Sequence, residues 1–195
     1  MRRLIACCSP RLKSWVTVGI MLICSIAFAQ ETDSMEFRPE LGIKGVAGKI
    51  GALYLIDNYG FAPGFGLWAD LGTISPSIAL DGGVEYWNGG KLESDGGTTR
   101  KSNISIYLTL KLKIDMEKIH PFLGAGLGVN MYSKIYPENW DQPDEKNTNL
   151  EPHIDMGAVY NLHPKLDLEA RLKANFSDIS AYGIYVSGIF RLGVQ

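Results

Sequence analysis

The sequence predicts an all-β chain: an eight-stranded, antiparallel, up-and-down barrel that spans a membrane with its apolar face outward. Three observations predict it. Eight segments of roughly ten residues alternate apolar and polar side chains with period two, and no helical pattern of useful length follows residue 30. About 9–11 residues is what a tilted strand needs to cross a bilayer. The chain also opens with a leader of the kind that directs export.

That leader comes first in order. Arg2, Arg3, Arg11 and Lys13 precede an apolar run from Trp15 to Phe28, which closes on Ala27-Phe28-Ala29. A basic start, an apolar middle and an A-x-A end are a cleaved signal peptide, here residues 1–29, followed by a short periplasmic segment at 30–38 and the barrel at 39–195. The apolar run is shorter than the ~20 residues of a spanning helix. Ile23 is too bulky to stand before a lipidated Cys24.

Cleavage changes the composition. Cys7, Cys8 and Cys24 all leave, so the exported chain has no disulfide and depends on strand pairing and packing. Four of nineteen basic residues leave too; fifteen bases against twenty-one acids give a net charge of −6, which excludes nucleic acid as a partner.

The eight segments follow. At 40–49, Leu41, Ile43, Gly45 and Ala47 oppose Glu40, Lys44 and Gly48. At 65–72, Phe65, Leu67, Ala69 and Leu71 oppose Gly66, Trp68 and Asp70. At 77–87, Ile78, Leu80, Val84 and Tyr86 oppose Asp81, Glu85 and Trp87. At 103–114, six aliphatic residues from Ile104 to Ile114 alternate with Ser105, Tyr107, Thr109, Lys111 and Lys113. At 122–132, Leu123, Ala125, Leu127, Val129 and Met131 oppose Gly124, Gly126, Gly128 and Asn130. At 153–161, Ile154, Met156, Ala158 and Tyr160 oppose Asp155, Gly157 and Val159. The seventh, 165–176, is the most regular: K-L-D-L-E-A-R-L-K-A-N-F. The last, 182–193, sets Ile184, Val186, Phe190 and Leu192 against Tyr185, Ser187 and Arg191.

The connections after the second, fourth and sixth segments are short and proline-bearing (Pro76, Pro121, Pro164), as suits residues that cannot donate to a ladder. Longer polar loops are expected near 50–64, 88–102 and 133–152, with a short one at 177–181. Up-and-down order places the tight turns at one end of the barrel and the long loops at the other.

Alternation alone allows two solutions. A soluble exported barrel would line its interior with the apolar faces and hold a small apolar ligand. A membrane barrel turns the apolar faces to lipid and the polar faces into the lumen. The polar faces favour the second. They carry seven acids (Glu40, Asp70, Asp81, Glu85, Asp155, Asp167, Glu169) against six bases (Lys44, Lys111, Lys113, Arg171, Lys173, Arg191), with glycines between. Such near balance suits neutralisation in a confined space, where an unpaired charge is costly. The outward faces are nearly free of charge, and outward aromatics sit near strand ends: Tyr86, Phe176 and Tyr182 at one end, Tyr160 and Phe190 at the other.

The run from His120 to Asn130, H-P-F-L-G-A-G-L-G-V-N, resembles the P-[YF]-x-G-x-G-x-G strand of small bacterial outer-membrane β-barrels of the OmpA and OmpX type. The resemblance implies eight antiparallel strands in the outer membrane, both termini in the periplasm, and outer-membrane lipid as the surrounding partner. It also implies insertion by the barrel-assembly machinery, as a monomer. Such barrels usually end in an aromatic residue; this chain ends Leu192-Gly193-Val194-Gln195, with Phe190 the nearest aromatic.

Candidate chemistry is sparse. His120 and His163 belong to His-Pro turns and His153 to the opposite end, so no metal site and no cofactor is expected. The outward-facing His-Ser pair of lipid-deacylating barrels is missing, so no catalytic residue is assigned. The G-x-G-x-G run lacks the spacing and following helix of a nucleotide fingerprint. Eight strands enclose only enough room for side chains, here Trp68, Trp87, Tyr107, Tyr185 and the charges, so a narrow ion leak is the most a pore could offer. Trp140, in an acidic loop, is the candidate contact residue for an unidentified extracellular partner. The functional expectation is a non-enzymatic scaffold displaying loops, for adhesion, envelope integrity or surface interaction.

Overall fold

The computed structural model describes residues 38–56, 59–93, 96–176 and 181–193. The leader at 1–29 and most of the segment at 30–38 lie outside them. Eight strands follow one another: β1 Glu40–Leu55, β2 Gly60–Ser75, β3 Ile78–Leu92, β4 Thr98–Lys113, β5 Ile119–Ile135, β6 Glu145–His163, β7 Leu166–Asn175 and β8 Ala181–Arg191. Each pairs antiparallel with the next, and β8 returns to β1, closing the barrel. Closure leaves no open edge within the ring, which hydrocarbon would not tolerate.

The apolar faces point outward. Leu67 and Ile50 are about 70% exposed, and Ile106, Leu108, Leu123, Leu127, Leu172, Ile184 and Val186 about half exposed or more, whereas Asp81, Glu85, Lys111, Glu169 and Arg171 are about 1% exposed inside. A soluble barrel with an apolar interior is the reverse of this arrangement. Aromatic residues flank the belt. Tyr54 and Phe61 (ring centroids 5.4 Å apart), Phe65 and Tyr86 (5.1 Å) and Tyr182 mark the hairpin end, and Tyr160 and Phe190 the tight-turn end.

Two expectations are corrected. The first is the register of β1. Opposed irregularities, between Leu41 and Gly45 on β1 and between Asp70 and Thr73 on β2, shift the pairing. Gly72 has φ +97°, which favours glycine, and its N–H donates to Asp70 Oδ1 at 2.9 Å. Beyond the bulge, Gly45 and Ala47 turn inward instead of outward, and Lys49 follows them into the lumen. A one-residue shift moves every later side chain to the other face.

The second concerns length. The regions 50–64, 88–102 and 133–152 are mostly strand, and the connections that remain are 56–59, 93–97 and 136–144. The strands rise unequally. β6 pairs with β5 from Glu145 but with β7 only from His153, and β3 pairs with β2 only up to the Gly64–Trp87 partnership. Residues 88–92, 98–102, 131–135 and 145–152 therefore form a four-stranded wall above the ring. Arg100, Ser102, Ser133, Lys146 and Thr148 bring polar groups to its outer face among Leu92, Ile135 and Leu150, in contrast to the unbroken apolar belt below.

Leu108 sits midway along the outer face of β4. Replacing it with Lys should destabilise the lipid-embedded barrel by about 2–4 kcal/mol, read as a lowered denaturation midpoint in lipid bilayers; an unchanged midpoint would place this face in water.

Candidate functional site

The lumen is built from the inward half of each strand, and several of its large side chains lie where the paired strand, or the same strand two residues away, has glycine. A Cβ added at Gly51 or Gly183 would stand 2.6 Å from the Tyr185 ring, and one at Gly64 would stand 3.2 Å from it. At Gly66 it would meet Lys49 Cε at 2.9 Å, at Gly157 the Phe122 ring at 2.8 Å, and at Gly126 the His153 ring at 2.6 Å. The G-x-G-x-G run is thus the space into which neighbouring lumen side chains fold.

Charges stack in tiers. Centrally, Arg171 donates from Nε to Glu169 Oε1 at 2.8 Å, from Nη1 to Asp155 Oδ2 at 3.1 Å, and from Nη2 to Asp81 Oδ2 at 3.1 Å. Lys111 pairs with Glu169 at 2.7 Å and with Asp81. Both cations lie over Trp68 and Phe122: Lys111 Nζ is 4.5 and 4.3 Å from the ring centroids, the Arg171 guanidinium 5.1 and 5.6 Å.

Toward the hairpin end, Glu85 Oε2 accepts from Lys49 at 2.5 Å and Lys173 at 3.1 Å, while Oε1 accepts from the Tyr185 hydroxyl at 2.7 Å. Lys49 also donates to Tyr107 Oη at 3.1 Å. Thr109, the Cα partner of Asp81, shares a hydrogen bond with His153 at 2.8 Å. Glu151 accepts from Asn130 at 2.8 Å and from Tyr132 at 2.6 Å. An apolar cluster including Leu53, Leu55, Tyr59, Ala62 and Trp87 completes the filling.

Four fully buried cations (Lys49, Lys111, Arg171, Lys173) thus face four buried carboxylates (Asp81, Glu85, Asp155, Glu169). The attraction has to offset a desolvation cost of several kcal/mol per ion, which only dense hydrogen bonding achieves. The remaining residues of the expected set lie at the tight-turn rim. Asp167 pairs with Arg191, which is half exposed, and Lys113 lies 3.8 Å from Asp70. Glu40 and Lys44, expected inside, are a correction: they pair with each other at 3.3 Å on the exposed rim, below the bulge that turns β1.

Lys49 and Glu151 were not signalled. The alternation of 40–49 in one register sets Lys49 on the outward face with Leu41 and Ile43, and Glu151 sits in a stretch that reads as loop. His153, read beside the turn histidines, is a buried lumen residue; His120 accepts from Asn161 at 2.7 Å and His163 is exposed. Trp140 is half-buried, packed on Gly97 and 6.2 Å from the Tyr136 ring.

A family model described as outer membrane protein beta-barrel domain matches residues 17–194. The chain belongs to that family. It is a protein of the bacterial outer membrane, and the apolar belt is its lipid-facing surface. Two solved structures share the fold. Neisserial surface protein A is 15% identical, with a TM-score of 0.54, over 76% of this chain and 96% of that one. Ail, the attachment invasion locus protein of Yersinia pestis, solved with the heparin analogue sucrose octasulfate, is 14% identical, with a TM-score of 0.57, over 78% and 100%. No curated protein matches the chain in sequence.

Removing one member of a buried ion cluster strands the others. Glu85→Leu, which leaves Lys49 and Lys173 without their carboxylate, should cost about 3–5 kcal/mol in the unfolding of the refolded barrel. Lys49→Met, Glu85→Leu and Lys173→Met together should recover most of that loss. Equal stability of the single variant and the parent would show that the cluster is not desolvated.

Proposed function

We propose that this outer-membrane barrel is a non-enzymatic scaffold that holds the four-stranded wall outside the cell for surface interaction. The wall itself is the observation that carries the reading. Four strands run beyond the belt, with polar side chains on both faces, and lipid contact gives no reason for that extension. The tight turns at 76–77 and 164–165 suit the periplasmic side. The ion tiers below the wall favour a plug over a conduit, since a passing ion would have to break pairs formed in a low-dielectric interior. Ail, of the same fold, is by name an attachment protein and was solved with a heparin analogue, which supports adhesion as the kind of interaction. In this reading residues 1–29 are removed on export, and the assembly machinery inserts the barrel as a monomer.

Cysteine accessibility tests the orientation. Gln142→Cys, in the connection between β5 and β6, should react with a membrane-impermeant maleimide on intact cells. Glu117→Cys, in the turn between β4 and β5, should react only after permeabilisation. The reverse pattern would overturn the orientation. Trimming the wall by replacing residues 89–100 and 134–146 with two-residue turns should keep a heat-modifiable barrel and abolish adherence of expressing cells to matrix-coated surfaces; undiminished adherence would remove the display role.

A further inference from the structure

One pocket at the wall is lined by Lys101, Tyr132, Ser133, Lys134, Glu145, Asn147 and Asn149, all but Ser133 on its inner face. Strand register brings them together. Lys101 is the Cα partner of Lys134, Lys134 of Glu145, and Tyr132 of Asn147, while Asn149 stands opposite Asn130. These side chains lie above the apolar belt, level with the polar groups of the wall's outer face.

The pocket's hydrogen-bonding capacity is only partly used. Lys134 donates to Tyr136 Oη at 2.6 Å, and that hydroxyl donates to Glu145 Oε1 at 2.7 Å. The Tyr136 oxygen holds Lys134 above the usual lysine range, so it stays charged. Two ammonium protons of Lys134 and the second oxygen of Glu145 remain available. The amides of Asn147 and Asn149 make no side-chain hydrogen bond among the described residues, and each offers two donors and an acceptor. On β4, Thr99 Oγ1 and Asn103 Oδ1 flank Lys101 on the same face; both are buried, with no hydrogen-bond partner among the described residues.

The pocket's lining carries two lysines, Lys101 and Lys134, against one carboxylate, Glu145. One surplus cation is too few to hold a polyanion, and the two asparagine amides favour groups that donate and accept at once. Hydroxyls do so. Tyr136 and Trp140 add an aromatic edge beside the pocket, suited to the apolar C–H face of a ring.

We propose that this pocket binds an uncharged pyranose unit of a surface glycan, with Asn147 and Asn149 as its principal hydrogen-bonding residues. The proposal deepens the display reading and rests on the hairpin end facing outward. Its test is saturation-transfer NMR on the full barrel refolded in detergent micelles. The probes are methyl glucoside, methyl galactoside and N-acetylglucosamine, against N-acetylneuraminic acid and sucrose octasulfate. At least one neutral probe should receive saturation from the protein. Its dissociation constant should hold between about 50 mM and about 500 mM salt, since no net charge is screened. Asn147→Ala and Asn149→Ala should each weaken it about tenfold, with Asn139→Ala as the control and heat-modifiable migration confirming that each variant is folded. Binding confined to the acidic probes and lost in high salt would overturn the proposal, as would transfer to no probe or an unchanged constant in both variants. Micelles report binding whichever way the barrel inserts, so failure here is distinguishable from failure of the orientation, which cysteine labelling reads.

Discussion

A charge on the inner wall of this barrel is shut off from bulk water by the side chains that fill the lumen, and the outer wall is bounded by hydrocarbon. Each buried cation must therefore find its carboxylate across the lumen. Arg171 does so with Asp81 on β3, adding Asp155 on neighbouring β6 and Glu169 on its own strand, and Glu85 is met by two lysines and a tyrosine from β1, β7 and β8. These contacts tie strands far apart in sequence and penalise any register that would separate them. The desolvation cost makes the pairs poor sources of net stability but strong determinants of which arrangement forms.

Small residues make the crowding possible. Glycines at 51, 64 and 183 receive the Tyr185 ring, whose hydroxyl then reaches Glu85. Glycines at 66, 126 and 157 do the same for Lys49, His153 and Phe122. A side chain at any of these positions would collide with the wall or with a lumen residue, so the polar network and the glycine pattern on the adjoining strands depend on each other.

The strands with one polar and one apolar face were legible from period two, and β7 most clearly: Asp167, Glu169, Arg171 and Lys173 all point inward. Two kinds of feature were hidden. Around β1 and β2 a pair of bulges changes the phase, and no residue pattern announces which face follows, so Lys49 was missed. In the upper strands the alternation itself fades. Leu53, Leu55 and Ala62 make the inner face apolar like the outer one, while Lys101, Asn147 and Asn149 stand in a wall with polar groups on both faces. Period two reports a difference between faces and is silent where the faces are alike. Pairing partners were partly readable. Asp155 with Arg171 and Asp167 with Arg191 follow from strand neighbourhood and charge, but Lys111 reaches Glu169 and Lys173 reaches Glu85 across the lumen, and Lys113 turns to Asp70.

The inversion of inside and outside is the claim on which lumen, wall and membrane location all stand. Spin labels placed singly at each position from 166 to 176, in the barrel reconstituted in bilayers, measure it directly. Collision with oxygen should peak at 168, 170 and 172, which face lipid, while 167, 169, 171 and 173 should be shielded from oxygen and from a water-soluble nickel complex alike. Nickel contact at 168, 170 and 172 would place the leucine face in water and contradict the inverted barrel.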